Sequence, residues 1–391
     1  MYKPEKIQNR KYLLSLDLLK GTAVLFMVIG HSIQWWNRSL ANNYESSSFP
    51  IFIIISIGLI VFPLFLFIYG FNQANSLLHR STAEEKGRIR NRVLRRAAIF
   101  TLLASLGQFV MWFVRTFPNL DLYILPRYLV HWHLFHFFAV IPVFFYFLWE
   151  ITTYLNKIFI KQEISKIFTL VCILSALLVL LLFFIFHDYT LNRPIIFPVE
   201  FNAFSILEHI ILDIGSAGLI PWLIFPLLGG ISATFLNISS NITNNKAFRV
   251  KLLILGGVSL IILCIGLFSL SFERYSSPAL VTPSTFSHVF ISSGTILFLL
   301  CVLLFFIDFG TWENFFIVKQ IAIPLQLLSN LSLTIFFVHP VIFGLNPALI
   351  PSESLFLALA TFYALLFIPI SFLWQKFYYR FSLEWLIRQY S

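Results

Sequence analysis

The chain is a succession of apolar runs of bilayer length separated by short polar segments, and no other feature restricts its fold as strongly. The runs fall at about 13–36, 50–72, 95–116, 129–153, 165–187, 216–237, 251–271, 287–308, 324–346 and 354–376. About 20 helical residues cross the roughly 30 Å hydrocarbon layer, a length that every run reaches. The pattern predicts an all-α integral membrane protein of about ten transmembrane helices. Composition agrees, with 59% hydrophobic residues, 11% charged residues and a mean hydropathy of +0.86, far from the soluble average. The first run is too long for a signal peptide, contains Asp17 and lacks a small-residue cleavage site after it. It is therefore expected to stay as the first helix. No soluble domain, low-complexity linker or internal repeat stands out, and residues 1–391 read as a single polytopic domain.

Positive charge sets the expected orientation. With the N-terminus inside, 21 of the 27 Lys and Arg residues fall in cytoplasmic segments, with Arg38, Arg115, Arg127, Arg193 and Arg274 outside and Lys20 within the first helix. Both termini are thus predicted to be cytoplasmic, in a multi-pass protein of the cell's cytoplasmic membrane. This asymmetry, with attraction to anionic membrane lipid, accounts for the net charge of +10 without any nucleic-acid partner. Cys172, Cys264 and Cys301 lie inside predicted helices without paired spacing, which speaks against disulfides or a thiolate metal site. The longest non-apolar stretch, about 188–215, is expected outside, and 201–214, with Glu208, His209 and Asp213, reads as an interfacial or re-entrant segment.

Ionisable residues inside a span need a reason, because hydrocarbon does not solvate charge. Asp17, Lys20 and His31 all lie in the first apolar run. The fourteen residues from Asp17 to His31 span roughly 21 Å of helix, one residue near each membrane face. The other histidines sort with His31 on the outer side: His131, His133 and His136 before or in the fourth helix, His187, His209, His288 and His339. Only His79 falls inside. Imidazole suits proton transfer near neutral pH, so these histidines are candidates for a general-base site reached from outside, against the plainer reading of amphipathic side chains at an interface. No HExxH or similar metal-ligand spacing occurs, and no metal is predicted.

On the inner side, Arg88, Arg92, Arg95 and Arg96 recur at three- and four-residue intervals and share one helical face. Arginine grips phosphate oxygens in a bidentate manner, which suits a phosphorylated donor such as a CoA thioester; anchoring to acidic lipid is the competing role.

These residues carry a family resemblance. SLDLLKGTAVLFMVIGHS resembles the first-helix signature of transmembrane acyltransferases, an LDxLRG-like motif followed by an apolar run and a terminal His. VFPLFLFIYGF at 61–71, RVLRRAAIFTLL, HLFHFFAVI, PWLIFPLLGG and LSLTIFFVHPVIF follow in the order of similar blocks in the heparan-α-glucosaminide N-acetyltransferase-like family. Lys20 stands where that family's LRG arginine is usual.

The resemblance implies a transmembrane acyltransferase that passes an acetyl or other short acyl group from cytoplasmic acyl-CoA to a sugar or glycoconjugate acceptor outside. It implies that His31 is the base or transient acyl carrier and that Arg92, Arg95 and Arg96 hold CoA phosphates. Lys20 would hold phosphate or pair with Asp17 as a structural ion pair. His136 and His339, with Asn330 and Trp222, are candidates to assist as oxyanion donors. Monomer and homodimer both remain open. The other reading is a secondary transporter of a small polar solute, with Asp17, Asp213 and the Gly/Pro-broken 218–230 as its substrate site.

Overall fold

The computed structural model describes residues 13–36, 49–78, 83–116, 134–158, 163–191, 210–211, 219–237, 245–270, 285–310, 315–342 and 353–390. Among these residues every regular element is a helix. They are α1 (Leu14–Trp36), α2 (Phe49–Leu78), α3 (Ala83–Thr116), α4 (Leu134–Ile158), α5 (Ile164–Leu191), α6 (Leu219–Trp222), α7 (Ile224–Leu236), α8 (Asn245–Leu270), α9 (Phe286–Leu303), which a π-helical turn (Leu304–Asp308) continues, α10 (Phe316–Asn330), α11 (Ser332–Ile342), α12 (Glu353–Lys376) and α13 (Leu383–Tyr390). Among the described residues nine spans are long and apolar enough to cross a membrane, or ten if the pair α10–α11, bent by 68°, is one broken span.

The apolar runs thus become helices close to their expected positions, with informative departures. The third helix starts at Ala83 rather than near 95, because the basic segment before the span is itself made of good helix formers. All four arginines of that face therefore sit within α3. The sixth run is interrupted at Ile220, whose φ of −105° and ψ of 123° are extended; a residue before proline, here Pro221, is pushed out of the helical region. The ninth run, expected to be continuous over 324–346, breaks at Leu331 between α10 and α11. Ser329, Asn330 and Ser332 flank that break, and short polar side chains compete with helical hydrogen bonding and favour caps. The suggested interfacial segment lies almost wholly outside the described residues.

α1 is the organising helix, packing against α2, α9, α10, α11 and α12. Lipid tails are as apolar as leucine, so helices in a bilayer associate through close backbone packing rather than through escape from water. Three helix pairs meet in this way. A Cβ on Gly21 of α1 would lie 2.1 Å from the Leu325 carbonyl oxygen of α10, and one on Gly70 of α2 would lie 2.1 Å from that of Pro226 on α7. Gly266 of α8 and Gly294 of α9 each sit against the other helix's backbone. The outward faces of α5 and α8 remain apolar, with Leu170, Leu174, Phe184, Leu253, Ile261 and Phe268 all exposed, as a lipid-contacting surface requires. Cys172 and Cys301 are buried and Cys264 exposed, all three as free thiols.

The α2–α7 crossing gives a direct test. A Cβ on Gly229 would lie 2.1 Å from the Phe67 carbonyl oxygen, whereas one on Gly257 meets nothing within 4 Å. Gly229→Val should lower stability by about 2 kcal/mol or more or abolish folding, as overpacking against backbone does. Gly257→Ala should be neutral or slightly stabilising. Thermal unfolding in detergent, followed by monodispersity on a sizing column, measures both.

Candidate active site

At about 100° per residue, Asp17, Lys20 and His31 lie within about 60° of one another around α1. That shared face looks toward the broken helix α10–α11. The opposite face, through Leu18, Leu19, Thr22, Ala23 and Phe26, lines a separate cavity of about 580 Å³ whose walls are almost wholly apolar. The two sides of α1 are therefore chemically distinct, and the ionisable groups are confined to one.

Along this face α1 makes two polar connections to the broken helix. The first is at Ser329, the penultimate residue of α10. Its hydroxyl donates to Asp17 Oδ1, and its carbonyl accepts from Lys20 Nζ at 2.9 Å. One serine thus joins the carboxylate and the ammonium, satisfying groups that hydrocarbon would leave bare. Beside it lies a cavity of about 140 Å³ lined by Lys20, Tyr69, Asn72, Phe138, Ser332 and Leu333, among others. The Tyr69 hydroxyl donates to the Phe138 carbonyl at 3.1 Å, and Arg96 lies within electrostatic reach of Tyr69. The buried Ser332 hydroxyl has no partner among the described residues. Among the described residues Lys20 is the one cation in the cavity wall, with its ammonium already donating to the Ser329 carbonyl.

The second connection is between histidines. His31 Nδ1 lies 2.7 Å from His339 Nε2, and His339 Nδ1 lies 3.0 Å from the Ile335 carbonyl oxygen. The rings are nearly parallel, at 10°, with centroids 4.9 Å apart. The roles follow from the chemistry of the last partner. A carbonyl only accepts, so His339 carries its proton on Nδ1 and, while neutral, presents a bare Nε2. His31 must then donate from Nδ1, which leaves the lone pair on His31 Nε2 available. His339 is fully buried, with Phe336 edge-on at 5.8 Å and the Tyr363 hydroxyl donating to its backbone carbonyl at 3.2 Å. His31 is thus an imidazole held in one tautomer by a second imidazole.

Of the candidates singled out in the sequence, His31 and His339 come together, as do Asp17 and Lys20. His136 is half-buried near the start of α4, where its neighbour Phe135 stacks edge-on against Phe336 of α11 at 5.2 Å. The arginines lie along α3, with Arg88 and Arg95 exposed and Arg92 and Arg96 half-buried. Asn330 donates to the Tyr379 hydroxyl at 3.3 Å and so turns toward the C-terminal segment. Trp222 is buried against Phe62, at 4.3 Å between centroids. Its indole N–H has no acceptor among the described residues. Of His79, His131, His133 and His209, and of the His187 side chain, nothing is described. The same holds for Asp213, which lies outside the described residues.

Three residues that complete the arrangement were not singled out. Ser329 is the shared partner of Asp17 and Lys20. Asp308, nearly 300 positions away in sequence, accepts the Leu14 and Ser15 backbone N–H groups at 2.8 and 3.1 Å and so caps the start of α1. Glu384 of α13 caps α11. A serine next to an asparagine inside an apolar run was the only local signal for the first, and the two acids act at a distance that no local pattern encodes.

A sequence profile described as an acyltransferase domain matches residues 13–374, from the start of α1 almost to the end of α12. No curated protein matches the chain. Both polar connections lie inside the matched region and α13 lies beyond it.

The proton assignment is testable by ¹⁵N NMR of histidine-labelled protein. His31 and His339 should both show the Nδ1-protonated neutral pattern, and His339→Ala should release His31 from it. An Nε2-protonated His31 in the unmodified protein would overturn the assignment.

Proposed function

This chain belongs to the acyltransferase-domain family, and from that premise we propose that it moves an acetyl or other short acyl group from cytoplasmic acyl-CoA to a sugar or glycoconjugate on the opposite face of the membrane. The multi-pass helical architecture and the family establish an integral membrane acyltransferase. The nature of donor and acceptor, the cytoplasmic membrane as its location and an orientation with both termini inside are proposed. They rest on the charge asymmetry and on the finer resemblance to the heparan-α-glucosaminide N-acetyltransferase-like family.

The observation that carries the reading is the hydrogen bond between His31 Nδ1 and His339 Nε2, which assigns the lone pair of His31 to Nε2, an atom with no partner among the described residues. In the proposed reaction this nitrogen takes the proton of the acceptor hydroxyl or amine. The acceptor oxygen or nitrogen then forms a bond to the thioester carbonyl carbon. The tetrahedral intermediate collapses with cleavage of the carbon–sulfur bond, and the proton held on His31 passes to the departing thiolate. General-base assistance of this kind contributes about 10² to 10⁴ in rate. The alternative of a transient acyl-His31 uses the same nitrogen as nucleophile.

The inner end supplies the features a phosphorylated donor would use. Arg88 and Arg95 are exposed on α3, and Arg92 and Arg96 sit half-buried on the same face. Lys20 borders the small cavity together with Tyr69, which Arg96 approaches. Lys20 and His31 are eleven residues apart, or about 17 Å of helix, a distance an extended thioester arm can bridge.

Two outcomes test the reading in detergent-purified protein with acetyl-CoA. His31→Gln should retain acetyl-CoA affinity and lose transfer by at least about 10², since an amide keeps a hydrogen bond but accepts no proton. Turnover close to that of the unmodified protein in His31→Gln would remove His31 from the role of base. Charge-assisted hydrogen bonds are worth about 1.5 to 3 kcal/mol, so Arg92→Ala, Arg95→Ala or Arg96→Ala should each weaken CoA binding roughly ten- to a hundredfold. Calorimetric titration with CoA reads this directly, and unchanged affinity in all three would return the arginines to lipid anchoring.

A further inference from the structure

The break between α10 and α11 is the joint to which both polar connections are attached. Ser329 precedes it, Ser332 and Leu333 follow it as walls of the Lys20 cavity, and His339 lies further along α11. Leu331, with φ −112° and ψ 17°, interrupts the helix, and the halves diverge by 68°. A helix that starts inside a protein leaves the N–H groups of its first turn without helical partners. In α11 these groups are met by a single carboxylate. Glu384 Oε1 accepts from the N–H of Leu333 at 2.6 Å and from that of Thr334 at 3.3 Å. Its Oε2 accepts from the Thr334 hydroxyl at 2.6 Å, and that hydroxyl accepts from the Leu383 N–H at 2.9 Å. The result is a closed ring of hydrogen bonds between the first turn of α13 and the first turn of α11.

We infer that Glu384 is a positioning residue of the acyl-transfer site: by fixing where and at what angle α11 begins, it sets the reach of His339 to His31. The inference rests on the proposed role of His31. Glu384 is only 8% exposed, a burial an acid side chain tolerates only when its oxygens are fully used. A carboxylate suits the place twice over, since it offers two acceptor oxygens and its charge faces the positive end of the α11 dipole. The lever is long enough to matter. From Ser332 to His339 the helix rises roughly 10 Å, so a tilt of about 10° at the break would displace His339 by nearly 2 Å. The His31–His339 hydrogen bond is 2.7 Å long and would not survive that shift. Misplacement of about 1 Å can cost 10² in rate. Because α13 lies outside the matched domain at 13–374, the device comes from a part of the chain that the family profile does not include.

The test uses the full chain in detergent, with acetyl-CoA as donor, water as acceptor and CoA release as one readout. The ¹⁵N signature of the His31–His339 hydrogen bond is the other, and it is independent of activity. Glu384→Ala should fold, lose that signature and lower kcat at least about tenfold, with KM for acetyl-CoA moving less than about threefold. Glu384→Gln keeps one oxygen for the two N–H groups and should fall between Glu384→Ala and the unmodified protein. Thr334→Val, which removes only the hydroxyl, should act in the same direction and add little to Glu384→Ala, since both break one ring. If Glu384→Ala fails to fold, the same comparison is made with Glu384→Gln and Thr334→Val. A Glu384→Ala protein of lower melting temperature but with its histidine signature and kcat intact would overturn the inference, leaving a stabilising cap alone. His31→Gln is measured beside these variants. If it stays active while Glu384→Ala loses the histidine signature, the role of His31 falls and takes with it the link to acyl transfer, and Glu384 is left positioning α11 and His339 alone.

Discussion

The contact between Ser329 and the Asp17–Lys20 pair is the interaction on which the rest of the site depends. Both ionisable groups sit on a span with hydrocarbon at its sides, where neither water nor counterion can reach them cheaply. Ser329 serves both, taking the carboxylate through its hydroxyl and the ammonium through its carbonyl. The last carbonyls of a helix lack the N–H four positions on that would hold them within it, and Ser329 stands one residue from the end of α10. The break after Asn330 thus leaves the Ser329 carbonyl to Lys20. Gly21 supports the same contact from the packing side, because any Cβ there would meet the Leu325 backbone and push α10 away.

The described acids of this site share a manner of use. Asp17 accepts from a serine, Asp308 accepts two N–H groups at the start of α1, and Glu384 accepts two N–H groups and a hydroxyl at the start of α11. Buried ion pairs often fail to recover the desolvation they cost. Carboxylates at helix N-termini recover it by satisfying donors that the helix has left open, and they join the helix dipole favourably. The two helices that carry His31 and His339 are both capped in this way by a distant residue, so the histidine pair is defined at the start of each helix.

The spans could be read from the sequence because hydropathy is a local property, and length and apolar content alone fix where a helix crosses. Asp17, Lys20 and His31 could be read because a charged or titratable group inside such a run is conspicuous. The break at Leu331 could not. Ser329, Asn330 and Ser332 are too few polar residues within an apolar run to stop hydropathy from running straight through, and what stabilises the break comes from Glu384, some fifty positions later. Asp308 looked like the end of a span for the same reason, its role set by α1 nearly 300 positions away. The joining of His31 to His339 is likewise a fact of helix packing. The spacing of histidines along a chain places them at one end or the other of their helices and says nothing about which pair meets.

The choice of a second imidazole as partner to His31 follows from the surroundings. A carboxylate in the place of His339 would orient the base equally well and would stabilise the imidazolium more strongly as it forms. It would also have to remain ionised between turnovers, buried among Phe336, Tyr363 and the walls of α1, at a desolvation cost of several kcal/mol. A chain of two neutral rings ending on the Ile335 carbonyl carries no net charge at rest. In the proposed reaction, charge then develops on His31 only as the acceptor loses its proton. The bare Nε2 of His339 already accepts the His31 Nδ1–H, so no group has to reorganise when it does. Stabilisation is thereby confined to the moment of transfer, which is the condition for an interaction to speed a reaction rather than merely bind its reactants.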